Sequence, residues 1–334
     1  MTWETLMAIA PMAPHNDLHQ PQWGTYQGAL ESTSLHRAAP WMDMSPLRRR
    51  AHEKQWQWFG AFGPELALGG ALLRTGYAAQ LFLWMFDRRA GTMLRDVSLT
   101  LPLPLVHVDD VSHHGEIASY KLGPTHVYVR RDHLGVEIQA QLKGMDISLH
   151  MVSAHTPIMT AICPVPGERM NITQKQAGLA TQGVVRFEGR AYTFDPAQSV
   201  GFLDYTHGLL ERRTQWQWAI GAGRCPDGLP LSFNLCAGFN QGMENVAWHD
   251  GALHKLGPAS FEFDPGRPNQ PWRVSTPDQS VELELQVEGV RAEDVNLGLV
   301  RSTYVQPLGS WTGHIHGHEL QDAVGVGEDH LAIW

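Results

Sequence analysis

The chain has 334 residues, 43% hydrophobic and 18% charged, with a net charge of −9. That length accommodates two domains, and the acidic balance argues against a nucleic-acid-binding face. Low charge content, with 33 Gly and 21 Pro, favours turn-rich β structure over long surface helices.

The chain opens with "MTWETLMAIAPMAPHND". Glu4 and the lack of a cationic n-region make this a poor secretory signal. Cys163, Cys225 and Cys236 are odd in number and form no C-x-x-C. That usage fits a reducing, cytoplasmic setting and argues against a disulfide framework or a cysteine zinc site. Up to about Lys54 the chain reads as irregular, broken by Pro11, Pro14, Pro21, Pro40 and Pro46. One short helix is predicted in "SPLRRRAHEKQ", with Ser45 as N-cap and Pro46 at N1.

From Gln55 strand signals dominate. "EKQWQWFGAFG" alternates Trp and Gln, which places both Trp rings on one sheet face. The stretch 66–86, "LALGGALLRTGYAAQLFLWMF", has the length of a membrane span. Arg74 near its middle would cost about 2.5–3.5 kcal/mol on insertion scales, and its glycines suit bends in strands. Buried strands are therefore expected, and no transmembrane segment. Residues 126–154, 185–195 and 280–289 alternate apolar and polar residues between turn signals. A short helix is allowed around Gly201–Arg212.

The QWQW signature recurs in "RRTQWQWAIGAG". Each copy is followed by a Gly-containing turn, a small-residue strand and another Trp: Trp84 after Trp58, and Trp248 after Trp218. This reads as one antiparallel module used twice. Counting back from the matched Trp residues pairs Gly70 with Asn234, Gly76 with Asn240, Gln80 with Glu244 and Leu81 with Asn245. The second copy thus carries an amide-and-carboxylate cluster that packing alone does not require.

"KQWQWFG", "DYTHGLLERRTQWQWA", "NLCAGFNQGMENVAW", "PWRVST" and "GEDHLAIW" resemble a bacterial and fungal family of unknown function. That family is grouped with carotenoid 1,2-hydratase/AttH-like proteins, tocopherol cyclase and lipocalin-like pericyclases. The resemblance runs from about residue 23 to Trp334. It implies an all-β protein of two tandem lipocalin-like (calycin) antiparallel barrels. The expected divisions are an irregular segment at 1–53, a first barrel at 54–200 and a second at 201–334. The related families perform hydration, cyclisation and pericyclic chemistry on greasy small molecules, and some only bind them.

Four constellations carry candidate chemistry. In "DYTHGLLERR", Asp204 and His207 offer proton transfer and Arg213 an anion clamp; the plain alternative is a structural corner with Arg213 paired to Asp204. In "NLCAGFNQGMEN", Glu244 is the preferred acid/base, with Asn234, Asn240 and Asn245 as orienting donors; the plain alternative is a network bridging strands at a barrel mouth. Trp216 and Trp218 would wall a cavity, or simply fill a core. In "HIHGH", His314, His316 and His318 would share a metal if they lay on one strand face, with Glu328, Asp329 and His330 near in sequence. Gly313 and Gly317 instead favour a hairpin with exposed histidines, so no metal is assigned. No P-loop, G-x-G-x-x-G, G-x-S-x-G or H-E-x-x-H motif occurs, and no cofactor is expected. The leading expectation is a cofactor-independent enzyme for hydration, dehydration, isomerisation or cyclisation of a hydrophobic isoprenoid, polyketide or aromatic. A lipid or pigment carrier and a histidine-ligated metalloenzyme are the rivals.

Overall fold

The computed structural model describes residues 7–296 and 301–334, so Glu4 of the leader argument lies outside the described residues. Among the described residues the regular structure is almost entirely antiparallel strand, gathered into two sheets. Among the described residues the first sheet has fourteen strands and curls into a near-barrel. The second has nine and forms a half-barrel. This is the tandem calycin-like architecture expected from the sequence.

The two QWQW segments hold equivalent places. Strand Glu53–Phe62 pairs on one side with Leu66–Arg74, the strand that follows it. On the other side it pairs with Val200–Leu209, the last strand of its sheet in chain order. Strand Arg213–Arg224 likewise pairs with Pro230–Gly238 and with His318–Ile333. In each half, the QWQW strand is thus bonded to both its successor and the closing strand.

Register corrects the alignment made by counting. Trp58 lies opposite Ala71 and Trp218 opposite Cys236, so Asn234 corresponds to Gly69 rather than Gly70. Trp248 corresponds to Phe86, and Val246 to Trp84. The first hairpin is laddered out to Arg74 and Ala79. In the second the ladder stops at Asn234 and Val246, and residues 239–245 leave it as a loop. That early opening shifts the match.

The stretch allowed as a helix is strand Val200–Leu209. Nearly all of it is buried, because one face lines the first barrel and the other meets the second sheet. A strand covered on both faces loses the period-two hydrophobic signal. Its pairing sets it in the first sheet, so the sheets divide between Leu209 and Arg213, whereas a junction at 200/201 falls after the first residue of that strand.

Residues 66–86 form strands Leu66–Arg74 and Ala79–Asp87, and among the described residues no helix is long and apolar enough to cross a membrane. The helix Pro46–His52 starts as read, with Ser45 Oγ accepting from Arg48 N. The segment before it is anchored. Strand Gly24–Gln27 pairs with Met159–Val165, and Leu30, Leu35, Ala38 and Trp41 pack on Ile162, Met170, Ile172 and Leu209. The three cysteines are buried and free.

One apolar cluster joins the two sheets and includes Trp58, Trp84, Trp216, Trp218 and Trp248. Across it the signatures meet. Trp56 stacks on Trp216 at 6.1 Å and 11°, and Trp58 meets Trp218 edge-on at 5.1 Å and 87°. Such aromatic pairs contribute about 0.5–1.5 kcal/mol beyond their burial.

Candidate functional site

Between the four signature tryptophans lies a cavity of about 80 Å³. Its wall is aromatic, adding Phe82, Phe239 and Tyr304 to the tryptophans, and carries the titratable side chains Lys175, Asp204, Glu244, Arg291, Glu328 and His330. A larger hollow, about 920 Å³, lies elsewhere between the two sheets. Every titratable side chain on its wall is exposed, whereas the smaller cavity gathers the buried Lys175, Asp204, Glu244, Arg291 and Glu328.

The cavity is built from equivalent positions of the two halves. Asp204 sits opposite Trp58 and Glu328 opposite Trp218. Thr206 and His330 face Trp56 and Trp216 in the same way. One strand further out, Lys175 pairs with Asp204. The register Val305↔Asp329 and Leu308↔Val326 sets Gln306 against Glu328. Strand alternation sends Asp204 and Thr206 towards the cavity and Tyr205 and His207 away from it.

The first half presents a buried cation between two acids. Lys175 Nζ is 3.1 Å from Glu244 Oε1 and 3.3 Å from Asp204 Oδ2, and 4.8 Å from the Trp218 ring centroid. Burial works against the ammonium, but Asp204 and Glu244 outweigh it and hold Lys175 above its usual range. Asp204 is raised, first by burial and then by Glu244, against the pull of Lys175. Two carboxylates sharing one ammonium cannot both be fully compensated.

The second half presents an acid without a cation of its own. Glu328 Oε1 accepts from Trp216 Nε1 at 2.7 Å, and Oε2 from Gln306 Nε2 at 2.8 Å. Burial, opposed by these bonds and reinforced by Asp204, pushes its carboxyl from about 4.5 up to about 7. Beside it, His330 is driven down to about 3 by burial and Arg291, so its imidazole is neutral. Its Nε2 pairs with Ser302 Oγ at 2.9 Å. Arg291 is held by Asp96 and Glu293 and lies over the Phe82 ring. Three wall atoms, Trp58 Nε1, Asn171 Oδ1 and Tyr304 Oη, are buried with no hydrogen-bond partner, which marks a place for water or ligand.

Of the residues singled out from sequence, the cavity unites Asp204, Glu244, Trp216 and Trp218. Asn234 and Asn245 stand behind it and hold the loop. Asn234 accepts from Trp218 Nε1 and donates to the Glu244 carbonyl. Asn245 accepts from Cys236 N and donates to the Gly257 carbonyl. Asn240 Oδ1 accepts from Gly242 N. Arg213 is exposed; the partner of Asp204 is Lys175. His207 is buried on the far strand face, 3.0 Å from Glu53 and 3.3 Å from Asp110. His314, His316 and His318 straddle a two-residue turn at His316–Gly317, both with positive φ. They do not share a strand face.

Sequence reading missed Lys175, Gln306, Arg291 and Tyr304, and weighed Glu328 and His330 only as metal ligands. A signal did exist: "DYTHGLL" and "EDHLAIW" are equivalent closing strands, and superposing them pairs Asp204 with Glu328.

No curated protein matches the sequence. Solved structures share the fold at low identity. CghA is 13% identical with a TM-score of 0.55, over 96% of this chain and 97% of that one. Kievitone hydratase from Nectria haematococca is 10% identical with a TM-score of 0.53, over 93% and 98%. An AttH-like protein from Nitrosomonas europaea is 13% identical with a TM-score of 0.50, over 84% and 92%. Residues 18–334 match a domain family of unknown function, DUF2804, and the chain belongs to that family.

Proposed function

We propose that the chain is a cofactor-independent enzyme that adds or removes water, isomerises or cyclises a flat, unsaturated hydrophobic molecule held in the cavity that the signature tryptophans wall. The observation that carries this is Glu328: an acid poised near neutral pH, buried in an aromatic wall. A carboxyl kept partly protonated at pH 7 can hand a proton to an alkene or carbonyl, and its conjugate base can take one back. The Lys175 ammonium, clamped by Asp204 and Glu244, is a fixed positive end for charge developing on oxygen. Neutral His330 beside Glu328 can relay a proton or align water. Glu244 acts here through Lys175, and Asp204 is the second carboxyl facing the substrate. His207, outside the cavity, has no part in this step. Kievitone hydratase, named for a hydration, and CghA, solved with Sch210972, share this fold and support a small-molecule substrate.

The test is a panel of polycyclic phenols, prenylated aromatics and unsaturated polyketides. Binding is read by quenching of tryptophan fluorescence, and turnover by mass spectrometry and chromatography. Hydration shows as a mass gain of one water; isomerisation or cyclisation as a new peak at unchanged mass. Glu328→Gln should retain binding and lose about 100-fold or more in turnover, the scale of acid–base contributions. Full turnover in that variant would overturn the proposal. Binding without turnover anywhere in the panel, unchanged in Glu328→Gln, would favour a carrier.

A further inference from the structure

Away from the cavity, three potential metal ligands converge at one end of the second sheet. Cys225 follows strand Arg213–Arg224, His249 ends strand Val246–His249, and His318 begins strand His318–Ile333. One ligand atom from each lies within 4.8 Å of the other two. None of the three lines the tryptophan cavity. The spacing in sequence is long and irregular, so no linear motif announces the cluster.

We propose that Cys225, His249 and His318 form a zinc site. One thiolate and two imidazoles suit zinc, and the oxygen ligands that magnesium or calcium would need are not what the cluster offers. In a tetrahedral zinc site, bond lengths of about 2.0–2.3 Å place ligand atoms roughly 3.3–3.8 Å apart. The observed spread, up to 4.8 Å, would have to close by about 1 Å on metal binding. The His249 and His318 rings already lie side by side, 4.5 Å between centroids at 40°. Cys225 is buried, and metal capture would release its thiol proton. Asp227 and Asp250 act electrostatically on this cluster, supplying negative charge around the cation. Three protein ligands leave a fourth tetrahedral position for water or another donor. Tying the ends of three strands together would also brace the half-barrel, whose sheet is not closed by pairing among the described residues.

The site is tested on the untagged full-length chain stripped with a chelator and titrated with cobalt(II). A thiolate-to-cobalt absorption band should saturate at one equivalent and be displaced by zinc. Cys225→Ser should abolish the band with circular dichroism unchanged. His249→Ala and His318→Ala should each weaken cobalt binding at least tenfold, since even the loss of an outer-shell partner costs about that much. Zinc should raise the thermal midpoint of the native chain and not that of Cys225→Ser. Absence of a saturable band, or a band that survives Cys225→Ser, would overturn the proposal. So would binding lost on replacing His314 and His316 and kept on replacing His249 and His318.

Discussion

In one half of the molecule Asp204 lies against Lys175; at the equivalent place in the other, Glu328 lies against Gln306. The backbones, the pairing and the tryptophans correspond, and the carboxylates face one cavity. What differs is the neighbour's charge. An ammonium turns the first carboxylate into part of an ion cluster, whereas an amide leaves the second short of compensation and near neutrality. The loops differ for a related reason. Asn234 fixes Trp218 and the Glu244 loop, but its counterpart Gly69 admits no side chain. A Cβ there would come within 2.6 Å of the Trp84 ring, and Trp58 Nε1 is accordingly left without an acceptor.

The harshest way to break this comparison is Lys175→Met. It leaves two carboxylates buried without their cation and should cost about 3–5 kcal/mol, read by urea denaturation at pH 7.5. Adding Asp204→Asn and Glu244→Gln should restore most of the loss. A cost under about 1 kcal/mol would mean that the cluster is not held as described.

Next comes conversion of one half into the other. Gln306→Lys should lower the Glu328 carboxyl by about 1–3 units, followed by infrared or carbon NMR titration. The same group sets a pH dependence of stability. Because folding raises Glu328 from about 4.5 to about 7, the folded chain binds the proton more tightly than the unfolded one. Its contribution is therefore complete below about 4.5 and lost as pH climbs through 7. Glu328→Gln should flatten that part of the stability curve, and an unchanged slope would remove Glu328 as the titrating group.

Smaller effects sharpen the loop contrast. Asn234→Leu strands the Trp218 indole and frees the Glu244 carbonyl, for about 1–3 kcal/mol, with weaker fluorescence quenching by any cavity ligand. Arg213→Ala, at an exposed position, should change stability by no more than about 0.5 kcal/mol and leave ligand binding untouched.

The architecture was legible because QWQW alternates within strands and recurs with similar surroundings. Ser45–Pro46 announced the helix by local chemistry alone. Val200–Leu209 was obscured because burial on both faces erased its alternation. The site was half legible. Asp204, Glu244, Trp216 and Trp218 stood out as polar or aromatic residues in unusual company. Lys175 did not, since it lies in a long strand, Arg169–Phe187, whose local pattern says nothing of a partner across the sheet junction. His207 drew notice by its type and proximity to Asp204, yet an odd step along a strand turns it to the opposite face.

The placement of the cavity between the two signatures has a historical consequence. A single-sheet chain associating with its own copy would have formed the same junction on a two-fold axis. Symmetry would then have forced identical residues onto both walls, lysine facing lysine or amide facing amide. Joining the halves in one polypeptide removes that constraint. Each wall can change alone, so Lys175 can stand on one side and Gln306 at the corresponding place on the other.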